Sequence, residues 1–251
     1  MSEALTCDEF LGGRLRLWQP REGYRAGVDP VLLAAAVPAQ SGQDVLELGC
    51  GAGAAILCLG ARVEGLALTG IELQRDYAAL ARQNSKDNDV PLEVVEADLR
   101  NLPSELRQRV WHHILMNPPY FDRSASTASA NTGRDTALGG DTPIAQWIDV
   151  AARRLRPKGT LTLVQRIERL PEVLVACEGR LGSIVVRPLA PREGRAPKLF
   201  LLQARKGGRA AFHLLAPLVL HDGHTHVEDR DDYTAEARAI LRDGKPLPLR
   251  P

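Results

Sequence analysis

Apolar positions along the chain follow two different spacings. Short, nearly continuous apolar runs recur at 45–48, 66–71, 92–95, 110–116 and 161–164, and again at 183–187, 199–204 and 212–220. Runs of this length read as strands buried in a sheet. Between them lie stretches with helical spacing: 54–63; 73–88, with Tyr77, Leu80 and Ala81 in register; 144–155, with Trp147, Ile148 and Ala151 on one face; and 170–180. Strands alternating with helices predict an open α/β sheet, closed by an antiparallel strand at 199–204. A short helix over 234–242 ends the pattern.

The residues ahead of the first sheet strand read differently. Alternation over 9–20, with Phe10, Leu15 and Leu17 apolar around Gly12-Gly13, predicts a hairpin laid over the main domain. Asp29 followed by Pro30 predicts a helix start, with Asp29 as N-cap and Pro30 as first helical residue. Residues 1–40 are therefore expected to be a hairpin and helix packed on the core, and 41–251 the main domain, in one structural unit.

Composition narrows the class. At 251 residues, 44% hydrophobic and 25% charged, the chain reads as a globular protein with room for one α/β domain with trimmings, or for two small domains. A formal net charge of +1 gives no global sign of a nucleic-acid binder. Cys7, Cys50, Cys58 and Cys177 form no Cys-x-x-Cys pair, which argues against a zinc site or a disulfide framework and fits the cytoplasm. No run approaches the ~18 apolar residues of a membrane span, and the start of the chain lacks a signal-peptide pattern, so no membrane partner is expected. His221, His224 and His226 match no standard ligand spacing and read as a polar turn, so no metal is expected.

Three strand ends carry the candidate chemistry. The strand at 45–48 runs into Gly49-Cys50-Gly51-Ala52-Gly53, where glycines at alternate positions let the backbone turn tightly and approach a ligand. The next strand ends in Glu72, a carboxylate placed to bind ribose hydroxyls. A dinucleotide loop would need glycine where Ala54 stands. The strand at 110–116 ends in Asn117-Pro118-Pro119-Tyr120. The prolines stiffen the backbone after Asn117 at the carboxyl end of a strand, where open α/β sheets bind ligands. The Asn117 side-chain carbonyl and the Pro118 carbonyl are two acceptors for a planar amino group, and Tyr120 offers a stacking face. The polar stretch 122–143 that follows is a candidate lid or substrate loop.

Asn117-Pro118-Pro119-Tyr120 resembles the motif of S-adenosylmethionine-dependent amino-group methyltransferases, which act on adenine N6, cytosine N4 or glutamine N5. Glu47-Leu48-Gly49-Cys50-Gly51-Ala52-Gly53 resembles their cofactor loop. The order of motifs, with Tyr24-Arg25-Ala26-Gly27-Val28-Asp29-Pro30 in front, looks most like the bacterial tRNA adenine-N6 methyltransferases. The resemblance implies a Rossmann-like class I fold: a seven-stranded, mostly parallel sheet with one antiparallel strand and helices on both faces. It implies S-adenosylmethionine bound by Arg25, Gly27, Asp29, Glu47, Gly49, Gly51, Gly53, Glu72, Asp98 and Asn117, with Asp98 at the adenine amino group. Asn117, Pro118, Pro119 and Tyr120 are implied as the catalytic set. For Asp98, capping of the next short helix is the alternative.

The implied partner is RNA, a tRNA near its anticodon, for a monomer or weak dimer. Residues 180–209 hold eight Arg and Lys against one acid, Glu193. The expected basic loop 188–197 makes Arg192, Arg195 and Lys198 candidate phosphate contacts. Rival readings remain within and outside the class. A glutamine-N5 methyltransferase of proteins would carry a helical domain in front, for which about forty residues are too few. A small-molecule methyltransferase would not need the paired acceptors. A non-catalytic RNA-binding module would not turn the cofactor over.

Overall fold

Seven strands form the body of one sheet in the order β8-β9-β7-β6-β3-β4-β5. The computed structural model describes residues 4–120, 142–223 and 232–250. Most of the expected loop 122–143 and the histidines His224 and His226 lie outside them. β3 (Asp44–Leu48), β4 (Ala67–Glu72), β5 (Leu92–Glu96), β6 (Trp111–Met116) and β7 (Leu155–Arg166) run parallel. β8 (Leu181–Arg192) and β9 (Leu199–Lys206) follow, and β9 lies antiparallel to both β7 and β8. Two short strands, β10 (His213–Leu214) and β11 (Leu218–His221), pair parallel with β8 and extend the edge beyond the expected seven.

The helices cover both faces, because the central strands are apolar on both sides. α1 (Asp29–Ala36), α2 (Ala54–Arg62) and the closing helix α7 (Ala235–Leu241) share one buried cluster with Val45 and Leu115. On the other face Trp147, Ile148 and Ala151 of α5 (Ile144–Arg154) and Val173 and Ala176 of α6 (Leu170–Cys177) pack on Leu46, Leu48, Ile114 and Met116. α3 (Arg75–Asp87) and the one-turn α4 (Ser104–Gln108) complete the set among the described residues.

The hairpin of β1 (Leu5–Phe10) and β2 (Leu15–Pro20) starts earlier than its alternation suggests and forms a separate two-stranded sheet. It is latched to α3 by amide side chains. Asn84 accepts the Trp18 N–H at 2.7 Å and donates to the Trp18 carbonyl at 3.0 Å. Asn88 treats Arg16 the same way, at 2.8 Å in each direction. Two asparagines one helical turn apart thus reproduce a strand's pairing pattern along the free edge of β2.

β8 extends to Arg192, so the expected loop 188–197 shrinks to a turn over 193–198. The strand lengthens because β11 pairs its outer edge as far as Arg192.

The apolar run of β6 is broken by His112 and His113 at its amino end. His113 is buried, with Nδ1 at 2.5 Å from Thr160 Oγ1 and Nε2 at 2.8 Å from Gln43 Oε1. Burial, with His112 adding to it, lowers its pKa to about 4. The folded chain therefore keeps this imidazole neutral where the unfolded chain, with a pKa of about 6.5, takes up a proton. Stability should fall as pH drops from about 6.5 to about 4, by up to about 1.4 kcal/mol per pH unit from this residue. Urea titrations across that range should show a shallower fall for His113→Gln; parallel curves for variant and wild type would show that His113 does not contribute.

Candidate active site

The turn after β3 is built on conformation. Gly49, Gly51 and Gly53 have φ of 67°, 55° and 88°, the left-handed region that side chains disfavour. At Gly49 a Cβ would also come within 2.7 Å of the Trp147 ring, whereas at Gly51 it would meet open space. Two buried carboxylates hold the turn. Glu47 accepts the Ile56 N–H in the first turn of α2 at 3.0 Å. Glu72 accepts the Gly51 N–H and the Gln74 N–H, each at 2.8 Å, through different oxygens. The Leu73 N–H acts on the same carboxylate, and three N–H groups leave it a lone pair to spare. Burial raises the pKa of both groups, that of Glu47 well above the carboxylate range; the backbone N–H bonds oppose the rise.

Two cavities meet at Gly49. The first is lined by Tyr24, Glu47, Gly51, Tyr77 and Asn117 among others. The second is lined by Glu72, Leu73, Asp98, Thr142 and Trp147 among others. The donor set fits S-adenosylmethionine. Glu72 has a free lone pair for a sugar hydroxyl, Gly51 leaves the wall open, and no Cβ at Gly49 divides the two spaces.

Asn117 stands at the carboxyl end of β6, beside the first cavity. Its Nδ2 donates to the Tyr24 hydroxyl at 3.0 Å. Its Oδ1 is buried and has no hydrogen-bond partner among the described residues. Such a buried acceptor costs about 1–3 kcal/mol unless a ligand or a water meets it. The carbonyls after it are braced from β7. Gln165, wholly buried, donates to the Pro118 oxygen at 3.2 Å and the Pro119 oxygen at 3.4 Å, and Arg169 donates to Pro119 at 3.3 Å. The Tyr120 hydroxyl donates to Asp29 Oδ2 at 2.8 Å.

Several expected residues sit elsewhere or do something else. Asp29 is not an N-cap: α1 starts at Asp29 after Val28 with no side-chain cap bond, and the carboxylate is committed to Tyr120. Arg25 forks onto Asp8 at 2.8 and 3.0 Å, tying the strap 21–28 to β1. Arg25, Gly27 and Asp29 line neither cavity, although their neighbours Ala26 and Pro30 line the first. Gly53 caps α2 and also stands outside both linings. Asp98 does two things at once. It lines the second cavity and caps the turn Leu99–Asn101 through the Arg100 N–H at 2.8 Å. The Arg100 guanidinium beside it holds its carboxyl below the usual range.

Arg192 is not free to grip a phosphate. Its guanidinium pairs with Asp232 and donates to the Asp222 carbonyl, leaving the side chain 12% exposed. Arg195 and Lys198 are exposed on the turn. Among the described residues no group of three or more His, Cys, Asp or Glu is arranged to hold a metal. The residues that sequence reasoning missed are Tyr24, Tyr77, Gln165 and Trp147. For Gln165 a signal existed, a polar residue ending the apolar run 161–164, and for Tyr24 its place at the head of the motif Tyr24 to Pro30; for Tyr77 none did.

Comparisons with known proteins agree with this geometry. A profile of the methyltransferase small domain family matches residues 26–177. The tRNA1(Val) (adenine(37)-N6)-methyltransferase of Dickeya chrysanthemi (strain Ech1591) is 27% identical to this chain, over 89% of this chain and 88% of its own length. A solved predicted O-methyltransferase of Agrobacterium tumefaciens superposes with a TM-score of 0.72 and 27% identity, over 88% of this chain and 98% of its own. A 16S rRNA N2 G1207 methyltransferase of T. thermophilus, solved with AdoMet and guanosine, superposes with a TM-score of 0.57 over 80% of this chain and 50% of its own; at 20% identity it shows the fold alone.

Glu72→Ala should weaken S-adenosylmethionine binding by about 1.5–3 kcal/mol, the scale of hydrogen bonds to a charged group. It should also destabilise the fold by about 1–3 kcal/mol, since the Gly51 and Gln74 N–H groups lose their acceptor. Calorimetry and thermal melts read the two effects separately; unchanged affinity would remove Glu72 from the cofactor site.

Proposed function

We propose that this chain, which belongs to the methyltransferase small domain family, transfers a methyl group from S-adenosylmethionine to N6 of an adenine in RNA, a tRNA beside its anticodon. The observation that carries the reading is the unpartnered Oδ1 of Asn117 next to the first cavity. An exocyclic amino group supplies the donor this oxygen lacks. The named relative from Dickeya supports the adenine and the tRNA.

The cofactor supplies a methyl group already activated on a sulfonium, so the protein's task is placement. Glu72 takes a sugar hydroxyl, Gly49 and Gly51 line the path between the cavities, and Asp98 takes the far end. Asn117 Oδ1 and the free lone pair of the Pro118 carbonyl hold the two amino hydrogens out of the plane of the ring. That exposes the nitrogen lone pair otherwise delocalised into the ring. The Tyr120 ring gives the flat base a stacking face. Gln165 and Arg169 keep the Pro118 and Pro119 carbonyls from turning away. A base presented from a single-stranded loop reaches this position at less cost than one pulled from a duplex.

The Agrobacterium protein is named for an oxygen acceptor. A hydroxyl acceptor needs a base to take its proton. Burial raises the pKa of the Tyr24 and Tyr120 phenols, so neither is a phenolate ready to take it, and the Asp29 carboxylate is committed to the Tyr120 hydroxyl. This favours an amino acceptor.

The RNA path follows the rim of the sheet. The Lys198 carbonyl accepts the Ile167 N–H at 3.0 Å, so the basic turn 193–198 sits beside the end of β7 that braces Asn117-Pro118-Pro119-Tyr120. Arg195 and Lys198 are the phosphate contacts in this reading, without Arg192. Residues 1–40 and 41–251 act as one unit, because Gln19 and Tyr24 line the cofactor cavity. No helix among the described residues is long and apolar enough to cross a membrane. The cytoplasm, where tRNA is modified, is the place of action, and the chain acts as a monomer or weak dimer.

Asn117→Ala should slow single-turnover methylation by about 10²–10³ while sparing cofactor and RNA binding, the usual cost of one preorganised contact. A variant transferring at the wild-type rate would make the motif a turn only. Replacing Arg195 and Lys198 together with Ala should raise the RNA dissociation constant and lower the salt slope by up to about 1.4, about 0.7 per phosphate contact on a single strand. Filter binding from low to high salt measures both, and an unaltered slope would move the RNA path elsewhere.

A further inference from the structure

We propose that a second cationic surface, made by Arg154, Lys158, Arg205 and Lys206 at the end of the sheet opposite Asn117, grips stem phosphates of the RNA away from the target adenine. The inference rests on the reading of the chain as an RNA methyltransferase.

Two stretches supply the charge. Residues 153–158 hold Arg153, Arg154, Arg156 and Lys158 with no acid, and 203–209 hold Arg205, Lys206 and Arg209 with no acid. The antiparallel pairing of β7 with β9 sets Thr160 opposite Arg205 and so brings the two stretches together. Hydrogen bonds close the cluster. Arg205 Nε donates to the Lys158 carbonyl at 3.1 Å, and Lys206 Nζ to the Leu155 carbonyl at 2.7 Å. Arg154 Nη1 donates to the Leu106 carbonyl at 3.4 Å.

A backbone carbonyl has no net charge, so each of these contacts fixes a cation in place without neutralising it. A guanidinium or an ammonium has several N–H donors, so each keeps some for a phosphate. Among the described residues no ion pair joins any of the four to a carboxylate; the nearby Asp149 is taken by Arg153 and Arg180. Arg156 stands apart, because it meets His112, which pairs with Asp44. Burial, and after it Arg153 and Arg107, lower the pKa of Arg154; burial and then Arg154 do the same for Lys206. Neighbouring cations act in this direction, and a paired carboxylate would act in the other.

The surface lies within reach of an RNA held at Asn117. From Thr160 to Gln165, which braces the Pro118 carbonyl, β7 rises about 17 Å at about 3.3 Å per residue. α5 runs alongside: it starts at Ile144, just after Thr142 of the second cavity, and ends at Arg154. A duplex stem behind a target loop is long enough to cover this span, and proteins hold such stems by shape and phosphates. β9 then carries phosphate contacts at both ends, Arg195 and Lys198 ahead of Leu199 and Arg205 and Lys206 at its close.

The test uses the full-length protein and two RNAs. One is a transcript of tRNA1(Val), the RNA named for the Dickeya relative; the other is a trinucleotide centred on the adenine, too short to reach the patch. Arg154→Gln, Lys158→Asn, Arg205→Gln and Lys206→Gln together remove the charges and keep side-chain donors. Asn suits position 158, where φ is 66°. This variant should bind the transcript about tenfold or more weakly, with the salt slope lowered by up to about 3.6, about 0.9 per phosphate contact on a duplex. Its kcat/KM on the trinucleotide and its single-turnover rate on saturating transcript should match the wild type. If thermal melts show that the fourfold variant does not fold, the exposed pair Lys158→Asn and Arg205→Gln decides, with a slope lowered by up to about 1.8. Unaltered affinity and slope on the transcript overturn the proposal and leave the patch to an acidic protein. An equal loss on both RNAs overturns it too, because the substitutions would then act on the catalytic end. A wild-type protein that methylates neither RNA would instead sink the RNA reading itself.

Discussion

Two buried carboxylates closing the glycine turn on themselves are the interaction from which the rest follows. Glu47 reaches the first turn of α2 and Glu72 reaches Gly51, so β3, β4 and α2 are joined through backbone N–H groups. A buried carboxyl is costly unless hydrogen-bonded, and an N–H at a helix start is a good partner for it. Removing either acid would orphan donors in the turn whose glycines sit in left-handed conformations. The two cavities meet at Gly49 because this turn is so tightly tied.

The second constraint is the stiff exit from β6. Prolines restrict Asn117 from one side, and Gln165 on the neighbouring strand and Arg169 just beyond its end brace their carbonyls. Asn117 then carries an acceptor that the fold leaves unsatisfied. A protein interior tolerates few such groups, and here the orphan lies where a target amino group has to arrive. Stability and function pull in opposite directions at this atom.

The amino-terminal hairpin and strap belong to the same machinery. Asn84 and Asn88 latch β2 to α3, and Asn84 also donates to the Ala52 carbonyl in the glycine turn at 2.9 Å. Gln19 and Tyr77 then hold the strap so that Tyr24 reaches Asn117. A segment that reads in isolation as a cover over the domain supplies part of the wall and part of the amide's hydrogen bonding.

Much of this was legible in the sequence, for a local reason. Strand, Gly-x-Gly-x-Gly turn, helix and terminal acid are neighbours in the chain, and alternate glycines and a proline pair declare backbone conformations wherever they occur. The parallel central strands followed from strands alternating with helices, and the antiparallel β9 from the family resemblance. What only the tertiary structure decided are the partners of polar side chains. Asp29 looks like an N-cap because a polar residue before proline usually is one, but Tyr120, 91 positions away, takes its carboxylate. Arg192 looks like a free basic residue until β11 lengthens β8 and Asp232 captures it. Asp98 keeps both of its readings, since one carboxylate caps a turn and still faces a cavity. Periodicity records which side chains are buried. A hydrogen bond between distant residues depends on distances set only when the sheet closes, and nothing in the local sequence encodes them.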